Sequence, residues 1–347
     1  MTRARIGVIG AGWWAAQNHL PALAANPDCT VVAVSRLGAA ELEHVRAAFD
    51  VPHAFEDAEA MLRAIPMDGV VIASPHVLHH AHAVAALAAR CHVLVEKPLA
   101  TSAADARDIV ARARAAGREV IVPYGWNFKP WTARARELVA GGALGRIEHV
   151  ALHMASPLED LFAGAPMRET ADHMFRPPPA TWADPARAGG YGWGQLVHAL
   201  GLLFRIAELE PRTVFAFAVP SPAGVDYHDA AAIRFACGAT ASVSGAATMP
   251  KHRGFQLDLR LFGTAGMLAL DIERPRLELR RRDGRDVIVP LDAADTEYGC
   301  TAPVNVLVDR CLGRATVNAA PGEVGMRAVE VLDALYRSAV SLRAEPV

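Results

Sequence analysis

The sequence has few cysteines, no surplus of charge of either sign and no long apolar run. Its five cysteines form no Cys-x-x-Cys pair, and a chain of this length needs no disulfide framework. The 35 basic and 37 acidic residues leave a formal net charge of −2, which gives no sign of a nucleic-acid partner. Neither a membrane span nor an N-terminal signal peptide can be recognised. We therefore expect a cytoplasmic protein with reduced thiols that binds neither nucleic acid nor membrane.

The first part of the chain alternates short apolar runs with longer Ala- and Leu-rich segments. With 347 residues, of which 52% are apolar, two domains are expected. Alternation of this kind predicts βαβ units in a doubly wound, Rossmann-type parallel sheet over residues 1–125. The predicted strands are 6–9, 30–34, 70–73, 93–95 and 120–123, and the predicted helices are 13–25, 39–49, 78–89 and 103–116.

The pattern changes after residue 125 to longer segments of alternating polarity. These segments predict an open, mostly antiparallel sheet that needs helices on one face only. We assign residues 126–347 to a substrate-binding and oligomerisation α/β domain, whose amphipathic C-terminal helix, 322–343, can return to the first domain. The predicted strands are 147–155, 213–219, 230–236, 240–246, 255–262, 267–272 and 277–281.

The strongest local signal is Gly10-Ala-Gly12-Trp13-Trp14-Ala15, which follows a predicted strand and opens a predicted helix. In such a motif Gly10 permits a tight turn, and Gly12 lets the backbone approach a pyrophosphate. Ala15 allows close packing of helix on strand, and the N-terminus of the helix favours the phosphate charge. The motif in this context predicts a dinucleotide cofactor.

The second strand ends at Ser35-Arg36, where an NAD-binding domain usually has Asp or Glu. A hydroxyl followed by a guanidinium suits a ribose 2′-phosphate, because arginine offers a charge-assisted fork. We therefore favour NADP(H) over NAD(H). The alternative is that Arg36 only stacks over the adenine or faces water.

Further segments carry a resemblance to one family. They are Asp68-Gly-Val-Val-Ile-Ala-Ser-Pro75, His79, Cys91-His-Val-Leu-Val-Glu-Lys-Pro98-Leu-Ala, Trp182, Gly189-Gly190 and His198. On these residues nearly the whole chain resembles the Gfo/Idh/MocA oxidoreductases, and Glu96-Lys97-Pro98 is the most specific element. The resemblance implies a Rossmann domain joined to an α/β domain with an open sheet. It also implies a dehydrogenase or reductase of sugars, inositols or related compounds that forms a homodimer or homotetramer.

The resemblance also implies roles for residues along the cofactor. Ser74 and Pro75 should lie along its central part, and Glu96 should contact the nicotinamide ribose. Lys97 should sit beside the reacting carbon, where it bonds the substrate oxygen or relays a proton, and a cis bond can precede Pro98. His79 matches a family histidine near the cofactor and is read as support for the residues that touch it.

His198 is the second predicted catalytic residue, because hydride removal from an alcohol leaves a proton for a base to accept. The family segment reads Asp-x-Gly-x-His-x-x-Asp, whereas here Gly194 and Gly201 replace the two aspartates. Gln195 can supply a hydrogen bond to substrate but not a base. The alternative is that His198 is a core histidine on a buried helix.

The stretch 124–130 leads from the first domain into the second and should lie near the nicotinamide. Asn127 takes the position of a family arginine, and Tyr124 is placed to shape the pocket. Trp126 and Trp193 are either platforms for a sugar ring or core tryptophans, and the sequence leaves both readings open. The residues Asp172, His173, Asp226, Tyr227 and His228 lie in loop-like stretches, and nothing ranks them.

The predicted function is hydride transfer between NADP(H) and a hydroxyl or carbonyl carbon of a sugar-like small molecule. Four histidines, His76, His79, His80 and His82, invite a metal site, but hydride transfer to nicotinamide needs none, so no metal is predicted. Two alternatives stay open. One is a lyase or glycoside hydrolase that recycles a tightly bound nicotinamide, and the other is a non-catalytic cofactor-sensing protein.

Overall fold

The computed structural model describes residues 3–347, which form two compact units. The first contains the residues up to Gly125 together with Pro166–Thr181 and Gly299–Met326. The second contains Trp126–Ala165, Trp182–Tyr298 and Arg327–Val347. The predicted fold class, a parallel Rossmann sheet followed by a mostly antiparallel sheet, is confirmed.

The first unit is built on a six-stranded parallel sheet in the order β3-β2-β1-β4-β5-β6. Side chains of the central strands are buried on both faces, as expected for a parallel sheet covered by helices. The strands are β1 (Ala4–Ile9), β2 (Cys29–Ser35), β3 (His53–Phe55), β4 (Gly69–Ile72), β5 (His92–Val95) and β6 (Val120–Ile121). The helices are α1 (Leu20–Ala25), α2 (Ala39–Ala48), α3 (Ala58–Ala64), α4 (His79–Ala88) and α5 (Ala103–Ala116).

Two elements among the first 125 residues were not predicted from the sequence. The edge strand β3 has three residues, none of them buried, so it lacks an apolar run that would reveal it. The helix α3 has only seven residues, and Asp57 caps its N-terminus by accepting a hydrogen bond from the Ala60 amide. Both elements were hidden because they are short.

The second unit is built on a nine-stranded sheet in the order β14-β13-β12-β11-β7-β10-β9-β8-β15. Its strands are β7 (Ile147–Ala155), β8 (Pro211–Pro220), β9 (Asp226–Phe235), β10 (Thr240–Ala246), β11 (Gln256–Gly263), β12 (Gly266–Asp271), β13 (Arg276–Arg281), β14 (Val287–Val289) and β15 (Glu345–Pro346). Its helices are α6 (Pro130–Ala140), α7 (Glu159–Ala163), α9 (Val197–Ile206) and α10 (Ala293–Thr296), while α8 (Pro179–Trp182) lies where the two units divide.

One pair in this sheet differs from a purely antiparallel arrangement, because β7 and β10 run parallel. Neighbouring antiparallel strands are usually joined by a short hairpin, whereas a parallel pair needs a long connection. The chain between β7 and β10 supplies such a connection, since it includes α9, β8 and β9. The sheet is therefore mixed but mostly antiparallel.

Two long helices follow, α11 (Thr301–Cys311) and α12 (Gly322–Ser341). The first turn of α12 packs closely on the parallel sheet, because a Cβ atom at Gly325 would lie 2.7 Å from Val122 and 3.2 Å from Leu99. None of the helices within residues 3–347 combines the length and the apolar character that a membrane crossing requires.

Candidate active site

The Gly-rich turn links β1 to a short helix, Ala15–His19, which continues into α1, and the turn is fixed to the end of β2. The amides of Gly10 and Ala11 both donate to the Ser35 carbonyl, at 2.8 and 3.1 Å. Gly10 has a φ of +79°, and a Cβ atom there would collide with the backbone of Ser74. At Gly12, by contrast, a Cβ atom would meet nothing nearer than the Gly10 carbonyl oxygen at 3.9 Å. The open space at Gly12 fits the approach of a cofactor phosphate.

Arg36 lies beside this turn, at the end of β2. Its Nη1 donates to the Ala11 carbonyl at 3.4 Å and its Nε to the Leu37 carbonyl at 3.2 Å. Its Cζ lies 4.2 Å from the centre of the Phe175 ring, a cation–π contact. Burial lowers the pKa of the Arg36 guanidinium. Ser35, the other residue predicted to read the ribose, is buried.

His79 joins the carboxyl ends of β4 and β5. Its ring is fully buried, with Nδ1 2.6 Å from the Pro98 carbonyl oxygen and Nε2 2.8 Å from that of Ser74. The Ser74 hydroxyl lies 2.9 Å from Nδ1 of His82, and the bond between Lys97 and Pro98 is cis. His79 therefore fixes the backbone on which both Ser74 and Lys97 stand.

The cluster of histidines that invited a metal hypothesis is held by protein contacts. His80 lies 2.8 Å from an Asp108 oxygen, and His79 and His82 contact the residues described above. Within residues 3–347, the side chains of His, Cys, Asp and Glu form no group of three or more that could hold a metal ion.

Glu96, at the end of β5, is buried and bonded through both oxygens. Its Oε1 accepts a hydrogen bond from the Trp14 indole at 2.8 Å and lies 2.7 Å from His19 Nε2. Its Oε2 accepts from the Lys97 backbone amide at 3.0 Å. Burial alone would raise the pKa of the Glu96 carboxyl, but His19 and Lys97 hold that pKa below its ordinary value. Glu96 thus ties the helix after the Gly-rich turn to the strand that carries Lys97.

Lys97 follows Glu96 and is only 6% exposed. Burial lowers the pKa of its ammonium to about 8, against the opposing effects of Glu96 and Cys300. The same burial raises the pKa of the Cys300 thiol to about 12, and burial beside Glu96 raises the pKa of the Tyr124 phenol. Lys97 therefore stands at the carboxyl edge of the parallel sheet with a proton that it can release near neutral pH.

In the second unit, His198 lies on α9 among aromatic rings. Its ring centre is 6.0 Å from that of Trp126 and 5.2 Å from that of Tyr298, both edge-on. Trp126 and Tyr298 also contact each other edge-on, at 5.0 Å. The Trp126 indole donates to the Thr296 carbonyl at 2.9 Å, which fixes the backbone two residues before Tyr298. The His198 ring is therefore flanked by two aromatic side chains.

The other predicted residues of the second unit differ in their surroundings. Asn127 donates to the Gly201 carbonyl at 3.0 Å, while its Oδ1 is buried with no hydrogen-bond partner among residues 3–347. Trp193 stacks on Tyr336 with ring centres 5.1 Å apart, and Gln195 is buried. The structure thus brings Trp126 to His198 and packs Trp193 on α12.

Gly194 stands where the family has an aspartate, and its surroundings leave no room for one. A Cβ atom at Gly194 would lie 2.8 Å from the ring of Phe162 and 3.4 Å from Trp182. The missing acid is therefore accompanied by an aromatic ring packed directly against the helix backbone. Gly201, at the second aspartate position, is buried on α9 and offers its carbonyl to Asn127.

Several residues of these clusters were not predicted from the sequence. His19, Phe175 and Tyr298 belong to no motif, and His173 was named without rank among other loop residues. His19 gave a weak signal, since it lies on the helix that follows the Gly-rich turn. The remaining three are brought to the site by contacts between residues far apart in sequence, for which a single sequence holds no signal.

Comparisons with known proteins agree with this architecture. Residues 4–124 match the model of the Gfo/Idh/MocA oxidoreductase family, NAD-binding Rossmann fold, and residues 132–269 match the C-terminal domain of the same family. One relative, dTDP-3,4-didehydro-2,6-dideoxy-alpha-D-glucose 3-reductase of Streptomyces antibioticus, is 28% identical over 84% of this chain and 85% of its own. The inositol 2-dehydrogenase of Acidothermus cellulolyticus is 27% identical over 78% of this chain and 74% of its own.

Among solved structures, GenD2 from gentamicin A biosynthesis in complex with NAD has a TM-score of 0.78. It is 24% identical, and the match covers 100% of this chain and 97% of that one, so the likeness extends over the whole fold. Both domain models come from a single family, and they match in the order of the two sheets. The chain therefore belongs to the Gfo/Idh/MocA family of oxidoreductases with an NAD-binding Rossmann domain.

Proposed function

We propose that this protein is an NADP(H)-dependent oxidoreductase that transfers a hydride between nicotinamide and a hydroxyl or carbonyl carbon of a sugar, an inositol or a related polyhydroxylated compound. The observation that carries the proposal is Lys97, a buried lysine with a pKa of about 8 at the carboxyl end of β5. Ligands of open α/β sheets bind at this edge. The names of the relatives, a deoxysugar reductase and an inositol dehydrogenase, support the substrate class.

The cofactor would be held by the Gly-rich turn. The turn and the start of the helix after it would bind the pyrophosphate, because Gly12 leaves open space there and the helix N-terminus attracts negative charge. Arg36 and Ser35 would read the ribose, with Arg36 suited to a 2′-phosphate. Ser74, Pro75 and His79 would support the central part. When bound, the cofactor supplies the hydride chemistry, and the protein supplies position and charge.

The proton chemistry falls to Lys97 and His198. As an ammonium, Lys97 donates a hydrogen bond to the substrate oxygen and stabilises negative charge on it. As a neutral amine, which its lowered pKa allows near neutral pH, it accepts a proton from an alcohol. His198, walled by Trp126 and Tyr298, is the second group suited to accept or relay that proton. Glu96 holds Lys97 in place, and its contact with the nicotinamide ribose stays a prediction.

We also infer that the protein forms a homo-oligomer through the outer face of its nine-stranded sheet. Phe217 and Val219 on β8 are 56% and 54% exposed, and as alternate residues of one strand they form an apolar pair on one face of the sheet. The two residues that follow Phe217 across the face, Ala230 and Ser244, are small and leave room for close contact with a second copy. One row across the face reads Phe217, Ala230, Ser244, His153 and Asp258. Light scattering of Phe217→Glu against wild type tests this inference, and an unchanged mass would contradict it.

The enzymatic proposal is tested by following reduction of NADP⁺ and NAD⁺ with a panel of sugars, inositols and polyols. We expect turnover that prefers NADP⁺ and falls by about two orders of magnitude or more in Lys97→Ala, the loss typical of a group that acts on a proton. Arg134→Ala, which removes an exposed charge of the second unit, is the matched control. Tightly bound nicotinamide without net reduction on any substrate would overturn the proposal and favour a lyase or glycoside hydrolase.

A further inference from the structure

The residues Pro166–Thr181 come from the middle of the sequence, yet they belong to the compact unit of the parallel sheet. Two of their side chains contact residues that we propose to bind the cofactor. His173 contacts Trp13 of the Gly-rich turn, and Phe175 contacts Arg36 at the end of β2. We call Pro166–Thr181 the covering segment.

The first contact anchors the covering segment to the turn. The Trp13 indole donates to His173 Nδ1 at 2.9 Å, and the two rings stack at 6.4 Å with an angle of 21° between their planes. Trp13 directly follows Gly12, so the anchor lies at the predicted pyrophosphate site. The segment is therefore held in place two residues before Phe175.

The second contact fixes the orientation of Arg36. A guanidinium is planar and has five N–H donors in the plane of the group. The guanidinium carbon lies over the Phe175 ring, 4.2 Å from its centre, while the carbonyls of Ala11 and Leu37 accept from two of the donors. The other donors of Arg36 make no hydrogen bond to any residue within 3–347. The Phe175 ring also contacts the His44 ring edge-on, with the ring centres 6.1 Å apart. A guanidinium held by one ring and two carbonyls has a fixed orientation, and its remaining donors are available to an anion.

We propose that Phe175 is a specificity-determining residue for the cofactor and that it acts through Arg36. By packing against the guanidinium, the ring fixes the remaining N–H donors for the 2′-phosphate of NADP and so favours NADP over NAD. The inference rests on the proposed dinucleotide cofactor. Phe175 is thus a positioning residue that lies more than a hundred residues from the strand end it serves.

The competing role for this pair is a platform for adenine. Adenine is common to NAD and NADP, so loss of a platform would weaken the binding of both to the same degree. Loss of a phosphate-reading fork would weaken only ligands with a 2′-phosphate. The two roles therefore differ in a ratio of affinities that needs no catalytic turnover to measure.

The experiment is calorimetric titration of the full-length protein with four probes: NADP⁺, NAD⁺, 2′,5′-ADP and 5′-AMP. We expect Phe175→Leu to weaken NADP⁺ and 2′,5′-ADP by about three- to tenfold, the range for one guanidinium–ring contact, and to leave NAD⁺ and 5′-AMP unchanged. Phe175→Tyr, which keeps the ring, should bind like wild type. Phe49→Leu, at a half-buried phenylalanine at the end of α2, is the matched control.

A second variant separates positioning from loss of folding. Arg36→Lys keeps the charge but has no planar face, so it should lose the same selectivity as Phe175→Leu, and the double variant should lose no more than either. Equal weakening of NADP⁺ and NAD⁺ by Phe175→Leu would overturn the inference and leave dinucleotide binding intact. If the wild type binds none of the four probes, the proposed function itself is overturned.

Discussion

The Tyr336 hydroxyl donates a hydrogen bond of 2.8 Å to Asp226 Oδ1, and the other oxygen of that carboxyl accepts from the Gly192 amide at 2.7 Å. The Trp193 amide in turn donates to the Tyr336 oxygen at 3.2 Å. Asp226 and Tyr336 thus satisfy two amides at the start of a helical stretch that comprises the turn Gly192–Leu196 and α9, which carries His198. This network fixes the first turn of that stretch inside the second unit.

A second carboxyl beside this network gives a prediction about pH. Asp229 is 3% exposed, and burial together with Asp226 raises its pKa well above the ordinary value. A group whose pKa is higher in the folded state stabilises the fold at low pH and loses that contribution as the pH rises through the folded-state pKa. Asp229→Asn, which has no charge to bury, should therefore gain stability relative to wild type as the pH rises from about 4 towards neutral.

Urea unfolding of Asp229→Asn and wild type across this pH range measures the difference. The free energy of unfolding of the variant minus that of wild type should grow with pH by at most about 1.4 kcal/mol per pH unit. Asp258→Asn, at a half-buried carboxyl on β11, serves as control. A difference that stays constant with pH would show that Asp229 is ionised in the fold.

The packing of Phe162 on Gly194 gives a prediction about the missing family aspartate. Gly194→Asp should destabilise the protein by about 1–3 kcal/mol, because its Cβ atom would overlap the Phe162 ring. Phe162→Ala alone should also destabilise, because it leaves a cavity. The double variant should be more stable than the sum of the single effects predicts, since the cavity admits the new side chain.

The double-variant cycle is read from chemical denaturation of the four proteins. Phe235→Ala, at another fully buried phenylalanine of the second unit, is the control, and its effect should simply add to that of Gly194→Asp. Additive effects for Phe162→Ala would mean that the ring moves aside without cost.

The two glycines of the Gly-rich turn should respond differently to alanine. Gly10→Ala should lower the free energy of unfolding by about 1–3 kcal/mol, since the position has a positive φ and touches the Ser74 backbone. Gly12→Ala has space for its methyl group and should fold normally, but it should weaken dinucleotide binding about tenfold or more because the methyl occupies the approach of the phosphate.

Melting curves with and without cofactor distinguish the two effects. Without cofactor, the melting temperature of Gly10→Ala should lie below that of wild type. Gly12→Ala should melt like wild type without cofactor and differ from it only in the rise in melting temperature that cofactor produces. Unchanged cofactor affinity in Gly12→Ala would place the phosphate elsewhere.

The lowered pKa of Lys97 predicts how the reaction depends on pH. Its ammonium loses a proton as the pH rises through about 8, and only the resulting neutral amine accepts a proton from an alcohol. kcat/KM for oxidation should therefore rise through about pH 8, and kcat/KM for reduction should fall over the same range. Lys97→Arg, which stays protonated, should abolish this limb of the profile. His198→Asn should lower the rate but keep this pH dependence. If the pH dependence survives in Lys97→Arg, it belongs to another group.

How much the sequence revealed depended on how local the information was. The Gly-rich turn, Ser35-Arg36 and Glu96-Lys97 were predicted to lie at strand ends because each follows an apolar run within a few residues. The fold class followed from the change in periodicity after residue 125. These features need only neighbouring residues to be recognised.

Features that depend on contacts between residues far apart in the sequence could not be predicted from the sequence. The role of Tyr298 depends on Trp126, and that of Phe175 depends on Arg36, each more than a hundred positions away. Glu96 was predicted to touch the cofactor, yet the sequence gave no indication that His19 and Trp14 bond to it. The parallel pairing of β7 with β10 was hidden for the same reason.

The first unit is assembled from three separate segments of the chain, and this affects how the protein can fold during its synthesis. When a ribosome has just released Gly125, all six strands of the parallel sheet exist, but α11, which packs against β1, β4, β5 and β6, does not. One apolar side of the nascent sheet must wait for its cover until the second unit has been almost fully translated. Translation of the second unit is therefore the interval in which the chain is most prone to aggregation, and a pause there should lower the yield of folded protein.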